Sequence, residues 1–186
     1  MIQAILLAAG DRPMALSPWG HTTVIEHIVD TLSRTAARDV LVVAGMNAWS
    51  LRQKLQGHGV NVVATRRLPS WRLGPLSPVK CGLGGLPKGT QAALLISLDQ
   101  AAVPATVIDR LVEAVLQPGR PVVVPTYKRQ RGWPIAIEIA SFGQTLLEAR
   151  DEQTVEEVIE RSGVPVLEIP VETRAVVLSL QDVLRP

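Results

Sequence analysis

The sequence predicts an α/β protein of three layers, a mainly parallel sheet with helices on both faces, and three observations carry that expectation. Short apolar runs free of charge recur along the chain, which is the texture of strands covered on both sides. Amphipathic segments with helical spacing alternate with them, as in successive βαβ units. Finally, 186 residues with 47% hydrophobic content suffice for a sizeable core, and no repeat, linker or low-complexity segment divides them, so a single domain over residues 1–186 is expected.

Taken in order, Ile2 to Ala9 reads as the first strand, ended by Gly10, and DRPMALSPWGH as a loop. Thr23 and Glu26 form a capping-box pair ahead of Val24, Ile25, Ile28, Val29 and Leu32, which predicts a helix ending near Arg38. Val40 to Ala44 is a second strand, Ala48 to Gln56 a helix closed by Gly57, and Val60 to Ala64 a third strand. From Thr65 to Gly89 the texture becomes basic and rich in Pro and Gly, giving a loop and then a short helix near Val79 to Leu86. The strand beginning at Ala93 leads to Pro104, which suits the first turn of a helix whose face is Val107, Ile108, Leu111, Val112 and Val115. Gly119 lies beyond its end. Val122 to Pro125 is a further strand, and WPIAIEI reads as another after the polar turn YKRQRG. Thr154 and Glu157 repeat the capping box before a helix stopped by Gly163, and two short strands, Val166 to Ile169 and Ala175 to Leu178, complete the chain.

Composition excludes some functions. A formal net charge of +2, with Lys and Arg mostly scattered, does not make a nucleic-acid surface, although it suits a phosphate-bearing small molecule. The lone Cys81 forms no intramolecular disulfide, and Ile2 to Ala9 lacks the basic leader of a signal peptide, so a cytoplasmic protein is expected. No apolar run approaches the roughly 20 residues of a membrane span.

The stretch with most chemical promise is AALLISLDQAAV, residues 92–103, a buried strand that stops at Asp99. In open α/β sheets ligands bind outside the carboxyl ends of the strands, so an acid there either holds a metal or touches a ligand, or else caps the helix that follows. The first turn, LLAAGDR, resembles a phosphate loop in outline but matches neither G-x-G-x-x-G nor G-x-x-x-x-G-K-[ST]. Gly82, Gly84 and Gly85 follow no strand and read as structural. His21, His27 and His58 lack metal-ligand spacing, and Cys81 has no sequence partner to activate it as a nucleophile. Arg66, Arg67, Arg72 and Lys80, like Lys128, Arg129 and Arg131, are either phosphate contacts or solvated surface; for the first group surface is favoured.

LLAAG, ALSPWGHTTVIEHIV, LSPVKCGL, LISLDQ, VVVPTY and RGWP occur in the order and approximate spacing of nucleotidyltransferases of the molybdenum-cofactor cytidylyl- and guanylyltransferase type, the MobA-like family, which this chain resembles over nearly its whole length. The resemblance implies a Rossmann-like fold that binds an NTP with Mg²⁺ and transfers the nucleotidyl group, CMP rather than GMP, to a phosphate acceptor such as molybdopterin, releasing pyrophosphate. By that likeness Asp99 is the metal-binding and catalytic aspartate, Ala8, Ala9, Gly10 and Arg12 belong to the triphosphate loop, and Ser77 and Gly82 to the loop lining the nucleotide pocket. Gly132 and Pro134 match the family's G-H-P turn on the acceptor side, with Trp133 for histidine.

The chain also departs from the family. About five residues of L-A-A-G-x-S-x-R-M-G are missing, Met14 stands where a lysine is expected, and VVLSLQDV places Leu178 at the second metal-binding aspartate of D-I-D-T-P-E-D-L. Those departures leave two alternatives to a working transferase. One is a catalytically impaired pseudoenzyme acting as a nucleotide- or protein-binding module, with a protein partner. The other is a sugar-nucleotide enzyme of related fold.

Overall fold

The computed structural model describes residues 1–9, 14–64 and 74–184. Its strands are β1 (Ile2–Ala8), β2 (Pro18–Trp19), β3 (Thr22–Thr23), β4 (Val40–Ala44), β5 (Asn61–Ala64), β6 (Ala92–Ser97), β7 (Val122–Tyr127), β8 (Gln130–Arg131), β9 (Ile135–Glu138) and β10 (Val166–Pro170). The helices are α1 (Val24–Ser33), α2 (Ala48–Lys54), α3 (Leu76–Gly84), α4 (Ala105–Val115), α5 (Gln144–Glu148), α6 (Val155–Ser162) and α7 (Leu180–Leu184). The main sheet runs β10-β7-β9-β6-β1-β4-β5, with β8 as a hairpin arm on β7. β1 pairs in parallel with both β4 and β6, whereas β9 is antiparallel to β6 and β7.

Side-chain alternation builds the three layers. On β1, Ala4, Leu6 and Ala8 face one core shared with α1, α2, α4 and α7, while Ile5 faces a second core with α3, α5 and α6. β6 divides in the same way, Leu94 and Ile96 against Ala93 and Leu95. Strands used on both faces have little room for a polar side, which is why their sequences are nearly continuous apolar runs, Gln3 in β1 being a buried exception.

Most sequence expectations hold, with local corrections. Both capping boxes form: Glu26 Oε2 accepts the Thr23 amide at 2.9 Å, and Glu157 Oε2 accepts the Thr154 amide at 3.0 Å. The first helix ends at Ser33, not near Arg38, because the Thr35 hydroxyl donates to the Leu32 carbonyl and accepts the Ala37 amide, while Asp109 takes the Ala36 amide. Side-chain bonds there replace the helical ladder. Ala175 to Leu178 is not a strand. Residues Arg174–Val177 make a 3₁₀ turn started by the Thr173 hydroxyl, and the buried Ala175 and Val176 plug the core instead of pairing with a sheet edge. The helix expected at Val79 begins three residues earlier, and α5, α7 and the β2–β3 ribbon are elements the pattern did not announce.

Candidate functional site at the sheet switch point

The chain passes from β1 outward through β4 to β5, then returns to place β6 on the other side of β1. Strand order therefore reverses between β1 and β6, and the crevice of such a sheet opens beyond their carboxyl ends. Register fixes what stands at that rim: Leu7 lies beside Ser97, and Ala8 beside Ala44. Ala8 is buried and Ala9 half-buried at the mouth, whereas Gly10 and Arg12 lie outside the described residues. Met14 opens a 3₁₀ turn and packs its thioether against the core beneath α1, so at the expected lysine position the structure has an apolar anchor.

Asp99 sits in the 3₁₀ segment Leu98–Ala102 directly after β6. The sequence left open whether it caps that turn, and the structure gives the task to its neighbours: the Ser97 hydroxyl accepts the Asp99 amide at 3.3 Å, and Gln100 Oε1 accepts the Ser97 amide at 3.0 Å. The Asp99 carboxylate turns elsewhere. Its Oδ1 accepts the backbone N–H of Leu180, the first residue of α7, at 2.6 Å, 81 residues along the chain. No hydrogen bond reaches its Oδ2 among the described residues. Leu178, at the second aspartate of the resemblance, is half-buried two residues from this contact, and its side chain offers no ligand atom. Ser179 and Asp182 close α7 with a capping box of their own, the hydroxyl donating to Asp182 Oδ2 at 2.6 Å.

α3 carries Ser77, Lys80, Cys81 and Gly82. Ser77 is buried, its amide held by the Gly74 carbonyl at 3.3 Å. Gly82 rests on the sheet: a Cβ there would collide with Ile5 Cγ2 and come within 3.2 Å of Val43 Cγ2. The absence of a side chain lets α3 lie directly on the middle of β1. Lys80 is engaged with protein partners rather than lying free on the surface. It pairs with Asp151 at 2.7 Å, a Coulombic contact without hydrogen-bond alignment, and donates to the Ala149 carbonyl, tying α3 to the α5–α6 connection. Burial pushes the Cys81 thiol above its ordinary range, opposite to what a nucleophile needs. Arg66, Arg67 and Arg72 lie outside the described residues.

The remaining candidates are peripheral. Lys128 and Arg129 form the exposed tip of the β7–β8 hairpin with φ of 49° and 69°, and Arg131 pairs with Glu168 at 2.7 Å. His27 stacks on Trp19 with ring centroids 4.9 Å apart. Among the described residues no group of three His, Cys, Asp or Glu is placed to hold a metal. One residue the sequence reading passed over is Asn47, just beyond the end of β4. Its Oδ1 is buried and accepts no hydrogen bond among the described residues, although Asn is the residue type expected to cap α2 at that position. An orphaned acceptor of this kind is legible only once the fold is known.

The comparisons fall in line with this geometry. The sequence profile of the MobA-like NTP transferase domain matches residues 4–167, most of the chain. The chain belongs to the MobA-like NTP transferase family. No curated protein matches it in sequence. Among solved structures, this MobA-like chain is similar to Rv0371c of Mycobacterium tuberculosis, solved in complex with manganese, at 23% identity over 92% of this chain and 88% of that one, with a TM-score of 0.78. A nucleotidyl transferase from Methanothermobacter thermautotrophicus shares 20% identity over 100% and 95% of the two chains, with a TM-score of 0.81. The 4-diphosphocytidyl-2C-methyl-D-erythritol synthase of Anaerococcus prevotii shares 14% identity over 98% and 92%, with a TM-score of 0.79. At these identities the structural likeness speaks for the fold, a Rossmann-like nucleotidyltransferase sheet, and the profile for the family.

Proposed function

We propose that this MobA-like chain binds an NTP with a divalent cation across the β1–β6 crevice and transfers its nucleotidyl group, CMP in preference to GMP, to the phosphate of a small acceptor such as molybdopterin, releasing pyrophosphate. The observation that carries the reading is the Asp99 carboxylate, fixed through Oδ1 at the switch point, with no hydrogen bond to Oδ2 among the described residues. Mg²⁺ fits that oxygen donor, since the ion typically takes one or two protein carboxylates and completes its shell with phosphate and water. Bound there, the ion would neutralise charge on the triphosphate. The backbone after Ala8 and Ala9, with Gly10 and Arg12, cradles the phosphates, and Ser77 borders the pocket on α3; Gly82 serves it by seating α3 on β1. An oxygen of the acceptor phosphate attacks the α-phosphorus and pyrophosphate leaves, so the protein needs no nucleophile and works by orientation and electrostatics.

The lean to cytidine is supported by the ALSPWG and RGWP stretches and by a cytidylyl enzyme among the structural relatives. No helix among the described residues is long and apolar enough to cross a membrane, which is compatible with the cytoplasm as the place of work. Thermal denaturation with CTP, GTP, ATP and UTP, each with and without Mg²⁺, tests the reading. Ligand at 100 times its dissociation constant adds about 2.7 kcal/mol, a rise of about 5 to 10 °C in a domain of this size. The expected result is a Mg²⁺-dependent rise strongest with CTP and absent in Asp99→Asn; no rise with any nucleotide refutes it.

A second reading, a pseudoenzyme that kept the fold as a binding module, draws on Met14 packed into the core and Leu178 beside Asp99. Met14→Lys with Leu178→Asp separates the two, because a large gain in metal-dependent pyrophosphate release would mean that the natural chain lacks the machinery. Unchanged turnover in an active wild type would dispose of the pseudoenzyme.

A further inference from the structure

The segment from Thr173 to Leu180 is anchored at two points, one of them the Asp99 carboxylate of the candidate site. At one end the Val176 carbonyl accepts the Trp133 amide at 2.8 Å, and Gly132 lies so close that a Cβ would collide with the Val176 carbonyl oxygen and come within 3.1 Å of Val176 Cβ. At the other end the Leu180 amide donates to Asp99 Oδ1. The anchor residues Val176 and Leu180 are themselves buried, in the same core as Ala101 and Val103. The strap thus spans from the turn after β8 to the end of β6, with both ends held by backbone groups.

We infer that the backbone N–H of Leu180 is a positioning group for Asp99, holding Oδ1 so that Oδ2 faces a divalent cation in the crevice; this rests on the nucleotide-binding reading above. A carboxylate that can rotate about its last bond offers either oxygen in any direction, and a ligand that must be frozen on binding binds weakly. One short N–H bond at 2.6 Å removes that freedom before the ion arrives. A donor on one oxygen and a cation on the other do not compete, and hydrogen bonding of a ligating carboxylate from outside the coordination sphere is a general device of metal sites. The device matters more here than where a second carboxylate is present, because Leu178 supplies none. Within one strap the chain has an apolar residue where a ligand would serve and, two residues on, an amide that steadies the ligand it retains.

The experiment is Mn²⁺ binding to the full chain in the presence of CTP, read by electron paramagnetic resonance titration, for wild type, Asp99→Asn, Leu180→Ala and Leu180→Pro. Both variants at 180 lose the buried leucine, but only proline lacks the N–H, and the first position of a helix accepts it. CTP binding without metal serves as the control that a merely structural change would move. Leu180→Pro is expected to weaken Mn²⁺ about tenfold or more relative to Leu180→Ala, the usual scale for loss of a partner outside the coordination shell, with metal-free CTP affinity unchanged. Should the proline variant fail to fold, leucic acid placed at 180 by semisynthesis removes the N–H alone, and the same loss is expected. Equal Mn²⁺ affinity in the two variants, or tighter binding without the N–H, overturns the positioning role while leaving the nucleotide reading in place. Wild type that binds no Mn²⁺·CTP, or binds it as well as Asp99→Asn does, overturns that reading and the inference with it.

Discussion

Gly82→Ala decides whether this glycine serves the ligand or the packing. The added Cβ would overlap Ile5 Cγ2 and sit 3.3 Å from Ile5 Cδ1 and 3.2 Å from Val43 Cγ2. Carbon atoms prefer about 3.5 to 4.0 Å, so the overlap must be relieved by movement. Ile5 cannot retreat: it is wholly buried, its χ1 is restricted by β-branching, and its backbone is paired with Leu41 on one side and Leu95 on the other. α3 must then lift from the sheet, at a cost of about 1 to 3 kcal/mol for an overpacked core. In a chain of this length that lowers the melting temperature by about 2 to 12 °C. Ile5→Ala alone costs about 2 to 5 kcal/mol for the cavity, and combining it with Gly82→Ala should recover about 0.5 to 3 kcal/mol of coupling, since each change relieves the other. Differential scanning fluorimetry on the four proteins of the cycle measures this directly. An unshifted melting temperature in Gly82→Ala, with additive behaviour in the double variant and a selective loss of nucleotide binding, would refute the packing account and return Gly82 to the pocket.

Three further outcomes are expected. Lys80→Met should cost about 1 to 3 kcal/mol, as leaving the largely buried Asp151 carboxylate without its partner does, and leave CTP affinity within about twofold; a large affinity loss would make Lys80 a phosphate contact. Glu26 is desolvated by its surroundings, which alone would raise its pKa, but hydrogen bonds from Thr23 and the nearby Lys54 ammonium outweigh that and hold it below the ordinary range. Its contribution is therefore present above the unfolded value of about 4.3 and fades as pH falls through the lower folded value, so Glu26→Ala should destabilise by about 1 kcal/mol at pH 7 and the difference should shrink in acid urea titrations. Cys81, half-buried with a raised thiol pKa, should react with iodoacetamide at pH 8 more slowly than a small free thiol does; faster labelling would mean an activated cysteine.

The sequence by itself determined the layers, the places of the principal strands along the chain, both capping boxes and the acid that ends β6, because these rest on local chemistry. An apolar run such as Ala93–Leu98 is buried wherever it goes, and Thr154 with Glu157 closes a helix terminus without help from distant residues. The family was legible for a related reason, since the order of motifs such as LLAAG and LISLDQ survives the loss of single residues within them. Tertiary structure decided what depends on contacts between segments far apart in the chain. Leu180 reads as one more apolar residue, yet its amide lies on a carboxylate 81 positions away. Lys80 belongs to a basic stretch in the sequence, but the fold brings Asp151 to it. Ala175–Leu178 has the composition of a strand and no sheet edge to join, so burial turns it into a plug. Side-chain pattern sets which face of an element is buried; only the packed chain settles which backbone group arrives opposite which carboxylate.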